Sequence, residues 1–406
     1  MRKHIAVGAF ALTAAVILAG CSSSTPEAEE PSGEGAELVI WTDAEREEAI
    51  SAAAEAFEEE TGATVKLVQK NFEDLRDDFI AQVPTGEGPD ITVGAHDWLG
   101  ALVAAGVVDT IDLGDKVESF EPVAVEAMTY EGQLYALPYS LESIALVQNA
   151  DLVGEEAPAT WDEMIQKGID SGAERPFVIN TEGETGDGYT MYPFQTSFGA
   201  PVFVQDESGS YTSEVGMGGA NGEAFATWLG ANGANGTGYI STTVDYDINN
   251  ELFNSGKAAY TIQGPWAIST YPDVNVVVNP IPSAGGETAA PFVGVQGFYL
   301  SSQSENALLA QEFLVNYLGT EDAQRALYDA DPRIPAWTAL AEEVSSDPII
   351  AGFVASSQNG VPMPSIPEMG SVWDLWNAAQ VQIINGADPV STWNTMVADV
   401  EAAIAG

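Results

Sequence analysis

Cysteine and histidine are nearly missing from this chain, and positive charge is scarce. Among 406 residues there is one cysteine, Cys21, and there are two histidines, His4 and His96. A lone cysteine excludes an intrachain disulfide and any paired-thiolate metal site. His4 falls in the first few residues, so His96 is the only imidazole available to a folded body. Zinc sites needing two or three imidazoles are excluded, and Ser-His-Asp chemistry would have a single base to draw on. Lys and Arg number 12 against 61 Asp and Glu, a formal net charge of -49. Such a surface repels phosphate backbones, which sets nucleic-acid binding aside and leaves a solvated, soluble face as the plain reading.

Long apolar runs are absent too, except at the start. Met1-Arg2-Lys3-His4 precedes an apolar stretch from Ile5 to Ala19, and Leu18-Ala19-Gly20-Cys21 is followed by serines. A short positive region, a stretch too short to span comfortably and a small-residue cleavage point describe an export signal over residues 1–20. The Leu-Ala-Gly-Cys ending resembles a bacterial lipobox, which implies cleavage before Cys21 and acylation of its thiol. Residues 21–36 offer almost nothing to a core and are expected to form a lipid-anchored flexible tether, with a typical end-to-end distance of roughly 20 Å. The mature protein is then expected on the extracellular face of the cell membrane, held there by buried methylenes.

What remains is ample for packed cores: 45% of residues are hydrophobic and 9% aromatic. The length exceeds what one core usually organises, so two domains are expected. Leu38 to Trp41 reads as a short buried strand. Thr42-Asp43-Ala44-Glu45 has capping-box spacing, and Ile50, Ala53, Ala54 and Phe57 keep helical period until Gly62. A strand from Thr64 to Val68, a helix from Phe72 to Val83, a strand from Asp90 to Val93 and a helix from Asp97 to Ala105 complete a βαβαβα run. Parallel strands with crossover helices bring their carboxyl ends to one edge, where such sheets bind ligands. Trp41 to Arg46, Lys70 to Phe72 and Gly94 to Trp98 are expected on that edge.

Further on, strands are expected at 134–139, 177–179, 258–262, 276–278 and 297–301. Helices are expected at 161–168 and 224–229, and mostly helix from Ser304 onward. A glycine-rich loop from Gly183 to Gly188 leads into Tyr189 and Tyr192. Several rings stand near loop carboxylates: Trp41, Tyr189, Tyr192, Tyr246, Trp266, Trp373 and Trp376. Sugars suit such a set, because flat C–H faces rest on rings while hydroxyls donate to ionised carboxylates. For any one ring, ordinary core packing is the competing reading. Trp266 stands out, since Gly264-Pro265 ends a strand and opens a helix and so leaves the ring at a helix N-terminus.

From about Glu37 to Ala405 the chain resembles the maltose-binding protein family of extracellular solute-binding proteins. The most specific pieces are Leu38 to Trp41, Thr85 to Ile91 leading into Ala95-His96-Asp97, Asn254 to Trp266, Pro291 to Val295, and Met363 to Met369 followed by Trp373. The resemblance implies a two-lobed α/β fold, each lobe a mainly parallel sheet flanked by helices, with the ligand cleft between them. The lobes would be 37–141 plus 295–343, and 142–294 plus 344–406.

It also implies a site. Glu45 and Arg46 match the family's acid and base from the first loop, Asp97 its acid after Ala-His, and Glu142 the acid in the crossover strand. Asp187 and Tyr189 match an acid and a stacking tyrosine, Tyr246 a cleft tyrosine, Trp266 and Trp373 two stacking tryptophans, and Met363 a pocket residue. His96 is expected to be structural. Gly94 stands where well-known members carry a stacking tryptophan, Trp98 replaces an arginine, and Gly188 and Asn377 replace other residues near the ligand; Trp98 is expected to supply the ring that Gly94 lacks. The implied function is capture of maltose or maltooligosaccharides by cleft closure and delivery to the permease subunits of an ABC importer. A monomer is expected, without catalytic residue, cofactor or metal. Two other readings stay open: a binding protein for a different oligosaccharide, and a glycoside hydrolase using paired carboxylates such as Asp97 and Glu142.

Overall fold

The computed structural model describes residues 33, 35–206 and 211–405. The expected signal segment, Cys21 and most of the expected tether lie outside the described residues. Where description begins, the Gly33 amide donates to the Thr61 carbonyl and the Thr64 amide to that of Ala36.

The first strand, Glu37–Thr42, pairs in parallel with Thr64–Gln69 on one side and Ile91–Ala95 on the other. Helix Glu47–Thr61 connects the first two, burying Ala49, Ile50, Ala53, Ala54 and Phe57. It stops at Gly62, whose φ of 74° is the left-handed conformation glycine adopts without steric cost. Helices Phe72–Gln82 and Leu99–Ala105 follow the next two strands, so the βαβαβα reading holds. The capping box does not form. Asp43 accepts the amides of Glu45 and Arg46 at 3.2 Å each, and its other oxygen pairs with the Arg46 guanidinium. With Asp43 closing that turn, the helix starts only at Glu47.

The expectation of mainly parallel sheets is corrected: the sheets are mixed. The large sheet has the order Ile334–Pro335, Ala136–Ser143, Phe292–Ser301, Ile91–Ala95, Glu37–Thr42, Thr64–Gln69. Phe292–Ser301 enters antiparallel to both its neighbours. The smaller sheet places Ala145–Asn149 between Tyr260–Gln263 and Val276–Asn279, antiparallel to each. The expected strand at 177–179 contributes a single parallel bridge, Val178 to Thr261. Parallel geometry follows only where a helix carries the chain back across the sheet. Ala145–Asn149 instead continues almost directly from Ala136–Ser143, with only Ile144 between.

Two cores result. One contains Leu38, Phe57, Phe79, Leu102, Phe298 and Phe313. The other gathers Trp161, Phe177, Phe194, Phe225, Trp376 and Trp393, with Val147, Phe253 and Phe353 in an adjoining cluster. Each large apolar side chain so buried contributes roughly 1.5–3 kcal/mol. The runs 136–149 and 292–301 pass from one core to the other: Leu137 and Val295 belong to the first, Leu146 and Phe292 to the second. Register slips between Gln296 and Gly297, opposite Pro138, which has no N–H to give the ladder. This bulge lies beside Tyr139 and Glu142, near the mouth between the cores. The last quarter of the chain is mainly helical, ending with Trp373–Ile384 and Pro389–Ala405.

Candidate functional site

The carboxyl ends of the parallel strands deliver their loops to the face between the two cores. After Ile91–Ala95 a single 3-10 turn, His96–Trp98, carries three of the residues in question. His96 is 3% exposed. Its Nδ1 accepts the Val295 amide at 3.0 Å and its Nε2 faces the Met363 carbonyl at 3.2 Å. That pairing requires the neutral ring with the proton on Nε2, and burial pushes its pKa down to about 4. The imidazole therefore ties strand 292–301 and the segment after Pro362 to the first lobe.

Asp97 follows it in the same turn. Its Oδ1 is out of contact with solvent and has no hydrogen-bond partner among the described residues. Burial pushes its carboxyl up to about 7, with Glu142 adding to the rise and Arg76 opposing it. When ionised, such an oxygen can accept a hydrogen bond from a ligand hydroxyl. Trp98, 8% exposed, packs on Phe72 with centroids 5.0 Å apart. A Cβ on Gly94 would stand 2.6 Å from the Trp98 ring. The indole thus covers the position where residue 94 would project its own side chain.

Arg46 is 2% exposed. Its guanidinium pairs with Asp43, donates from Nε to the Tyr139 hydroxyl, and lies between the rings of Phe72 and Tyr139 at 5.3 and 5.4 Å. Glu45 stands half exposed beside it and pairs with Arg333 at 3.0 Å. Arg333 is the residue that sequence reasoning missed. It is 4% exposed, donates to Glu142 and Asp331 as well as Glu45, and lies 5.5 Å from the centroid of Trp266. Burial works against its charge, but Glu142, Tyr139, Asp331 and Glu45 hold its pKa well above the ordinary arginine value. The signal available in the sequence was an arginine framed by prolines, Asp331-Pro332-Arg333-Ile334-Pro335, in a chain with few cations. The other oxygen of Glu142 accepts from Gln296 Nε2 at 2.7 Å.

The second lobe supplies rings. Tyr189 lies 6.5 Å from Trp266 and 6.2 Å from Phe292, and Phe292 is 6.5 Å from Trp373. Three expected rings are thereby linked, Trp266 through Tyr189 and Trp373 through Phe292, which sequence reasoning did not single out. Tyr246 opens helix Tyr246–Asn254 and is half-buried. Burial raises its phenol above the usual value, a bond with Asn250 opposes this, and Glu45 adds to it, so the ring lies within electrostatic reach of the first lobe. Asp187 caps the next site helix: it accepts the Thr190 amide and Asn180 Nδ2, both at 2.9 Å. Burial raises it to about 6. Met363 is 8% exposed and its amide donates to the Val293 carbonyl.

Other candidate rings are core. Tyr192 stacks on Phe292 at 3.8 Å and is 1% exposed. Trp41 is buried edge-on against Phe79, and Trp376 is fully buried, donating to Gln195 at 2.8 Å. Asn377 accepts the Gly188 amide at 2.8 Å, and a Cβ at 188 would strike the Trp376 ring; both residues serve to seat the 183–188 loop. A groove of about 580 Å³ continues from Glu45 along Lys70, Asn71 and Phe72.

Two cores joined by crossing strands, with acids on one side of the gap and rings on the other, define a protein that holds a solute between lobes. The family model for bacterial extracellular solute-binding proteins matches residues 52–352, and the chain belongs to that family. It is a binding protein and not an enzyme, which removes the glycoside-hydrolase alternative. It is 28% identical over 404 residues to the galactooligosaccharide-binding protein of Bacillus subtilis, covering 96% of this chain and 94% of that one. It is 29% identical over 327 residues to the maltotriose-binding protein of Pyrococcus abyssi, covering 76% and 68%. The solved structure of the Thermus thermophilus maltotriose binding protein bound with maltotriose shares 30% identity and superposes with a TM-score of 0.81, over 90% of this chain and 100% of that one. The two-lobed fold is common to both.

Proposed function

We propose that this protein captures maltose or maltooligosaccharides between its lobes and delivers them to the permease of an ABC importer. The observation that carries the reading is the pairing of an unpartnered buried acceptor, Asp97 Oδ1, with the ring group Tyr189, Trp266 and Trp373 on the opposite lobe. Sugar hydroxyls would donate to Asp97, Glu45 and Glu142 while C–H faces rest on the rings. Contacts to both lobes exist only when the lobes are closed, so the ligand biases the open-closed equilibrium by that difference in affinity. The closed form is the one a permease would recognise.

The two cores support lobes of 37–141 plus 295–343, and 142–294 plus 344–406. Relatives in Streptococcus pneumoniae are named maltooligosaccharide ABC transporter solute-binding lipoproteins, which supports an extracellular protein anchored through acylated Cys21. The relative from Bacillus subtilis, matched over 96% of the chain, favours one further reading, a galactooligosaccharide ligand. Glucosyl and galactosyl units differ in configuration at C4, whose oxygen is equatorial in glucose and axial in galactose, so a polar cleft can separate them. Titration calorimetry with maltose, maltotriose, longer maltodextrins and galactooligosaccharides tests both. Tightest binding of a glucan supports the proposal, and tighter binding of the galactosides replaces it.

A further inference from the structure

Two arginines are buried beside the cleft, and only one of them touches both lobes. The partners of Arg46, namely Asp43, Tyr139 and Phe72, all belong to its own lobe. Arg333 gathers carboxylates from three separate chain segments: Nε meets Asp331, Nη1 meets Glu142 and Nη2 meets Glu45. The guanidinium carbon stands 5.5 Å over the ring centroid of Trp266, which the ring-bearing lobe supplies. A guanidinium is a rigid planar fork, so each carboxylate it holds is fixed in direction as well as distance. An ionised carboxylate has about four lone-pair sites. The bonds to Arg333, with the Gln296 bond on the other oxygen of Glu142, occupy some of these sites and fix the direction in which the rest of each carboxylate can accept.

We propose that Arg333 is the positioning residue of the binding cleft: it aims Glu45 and Glu142 at the hydroxyls of a neutral sugar and seats Trp266 against them, so that acids and ring act as one unit. Arg46 then holds the first loop from behind and meets no ligand. The proposal rests on the sugar reading given above.

A double-mutant cycle tests it. Arg333→Gln, Glu45→Gln and the double variant are titrated with maltotriose, and each is melted without sugar to record its stability separately. Residues acting as one unit are strongly non-additive. Arg333→Gln is expected to weaken binding about thirtyfold, as for loss of an anchor at the centre of an interface. The double variant is expected to be little weaker than Arg333→Gln alone. Losses that multiply overturn the proposal, as does full affinity in Arg333→Gln. Arg333→Lys, which keeps the charge without the fork, is expected to recover the melting temperature but only part of the affinity; it also replaces Arg333→Gln in the cycle if that variant does not fold.

A second measurement needs no ligand. The emission of Trp266, isolated as the difference between each protein and its Trp266→Phe counterpart, is expected to shift when the cation beside it is removed. Identical Trp266 emission in wild type and Arg333→Gln overturns the seating of the ring. A wild type that takes no sugar from the panel defeats the sugar reading instead, and the emission difference still decides the seating.

Discussion

The two sides of the cleft are built from different chemistry and held by different means. One side offers acids: Glu45 and Glu142 are steadied by Arg333, and Asp97 is placed by the turn after a buried strand. The other side offers rings, which come from helix starts and loops: Tyr189 after the Asp187 cap, Trp266 after Gly264-Pro265, and Trp373 at the head of a helix. A ring needs only to present a face, so it tolerates some freedom of orientation. An acceptor must meet one hydroxyl, so it needs a support. On the proposed sugar reading, choice among sugars is expected to reside on the charged side and gross affinity on the aromatic side.

The largest expected effect tests which arginine is support and which is cleft. Arg46→Met leaves Asp43 buried without its cation, and breaking a buried pair in this way costs about 3–5 kcal/mol of stability. Urea unfolding measures it. Where the variant remains folded, its sugar affinity should stay within a few-fold of wild type. A large loss of affinity at unchanged stability would return Arg46 to the ligand.

Two tryptophans sharpen the contrast on the aromatic side. Trp266→Ala should cost about 2 kcal/mol of binding, as for an interface anchor, and little stability. Trp376→Ala should do the reverse, losing about 3–5 kcal/mol of stability as a fully buried ring is removed. Calorimetry on one and thermal unfolding on both separate the roles, and the assignment fails if the two variants behave alike. A smaller effect is expected at Gly94. Its substitution by alanine forces a methyl to within 2.6 Å of the Trp98 ring and 3.1 Å of Tyr299, an overpacking cost of about 1–2 kcal/mol. Combining it with Trp98→Ala should relieve that strain, which melting curves of the single and double variants will show.

These contrasts were only partly legible in the sequence. The βαβαβα run was readable because its signals are local: apolar residues at helical spacing, and glycines at 62 and 106 whose φ angles of 74° and 68° end the helices. The mixed sheet was not, because Phe292–Ser301 finds its partners about two hundred residues away and no local pattern announces its direction. Trp266 was legible from turn chemistry, Tyr189 from its glycine-rich loop and Trp373 from the family resemblance, yet Phe292, which lies between Tyr189 and Trp373, looks like any strand residue. Arg46 has the sequence neighbourhood of a ligand contact, but Tyr139, 93 residues later, caps its side chain. Arg333 depends on positions 45, 142 and 331 at once, a relation that only folding creates.

The smallest expected effect separates the two sides by pH. Asp97 is raised to about 7 from an ordinary 3.8 and Asp187 to about 6, each mainly by burial. A carboxyl with a raised folded pKa binds its proton more tightly in the native state. Its contribution to stability is therefore undiminished below about pH 4 and declines as pH rises through its folded value. His96, depressed to about 4 from 6.5, has the opposite sign: it penalises the native state as pH falls from 6.5 toward 4. The terms oppose each other between about pH 4 and 6.5, so the wild-type stability profile alone does not isolate Asp97. Ligand binding does. A hydroxyl donates more strongly to an ionised carboxylate than to a neutral one, so sugar affinity should rise by a few-fold from pH 5.5 to 8. Asp97→Asn should flatten that rise, while Trp266→Ala should lower the whole curve and keep its shape. A Trp266→Ala curve that changed shape, or an Asp97→Asn curve that kept the full slope, would mean that the charged side does not act through Asp97.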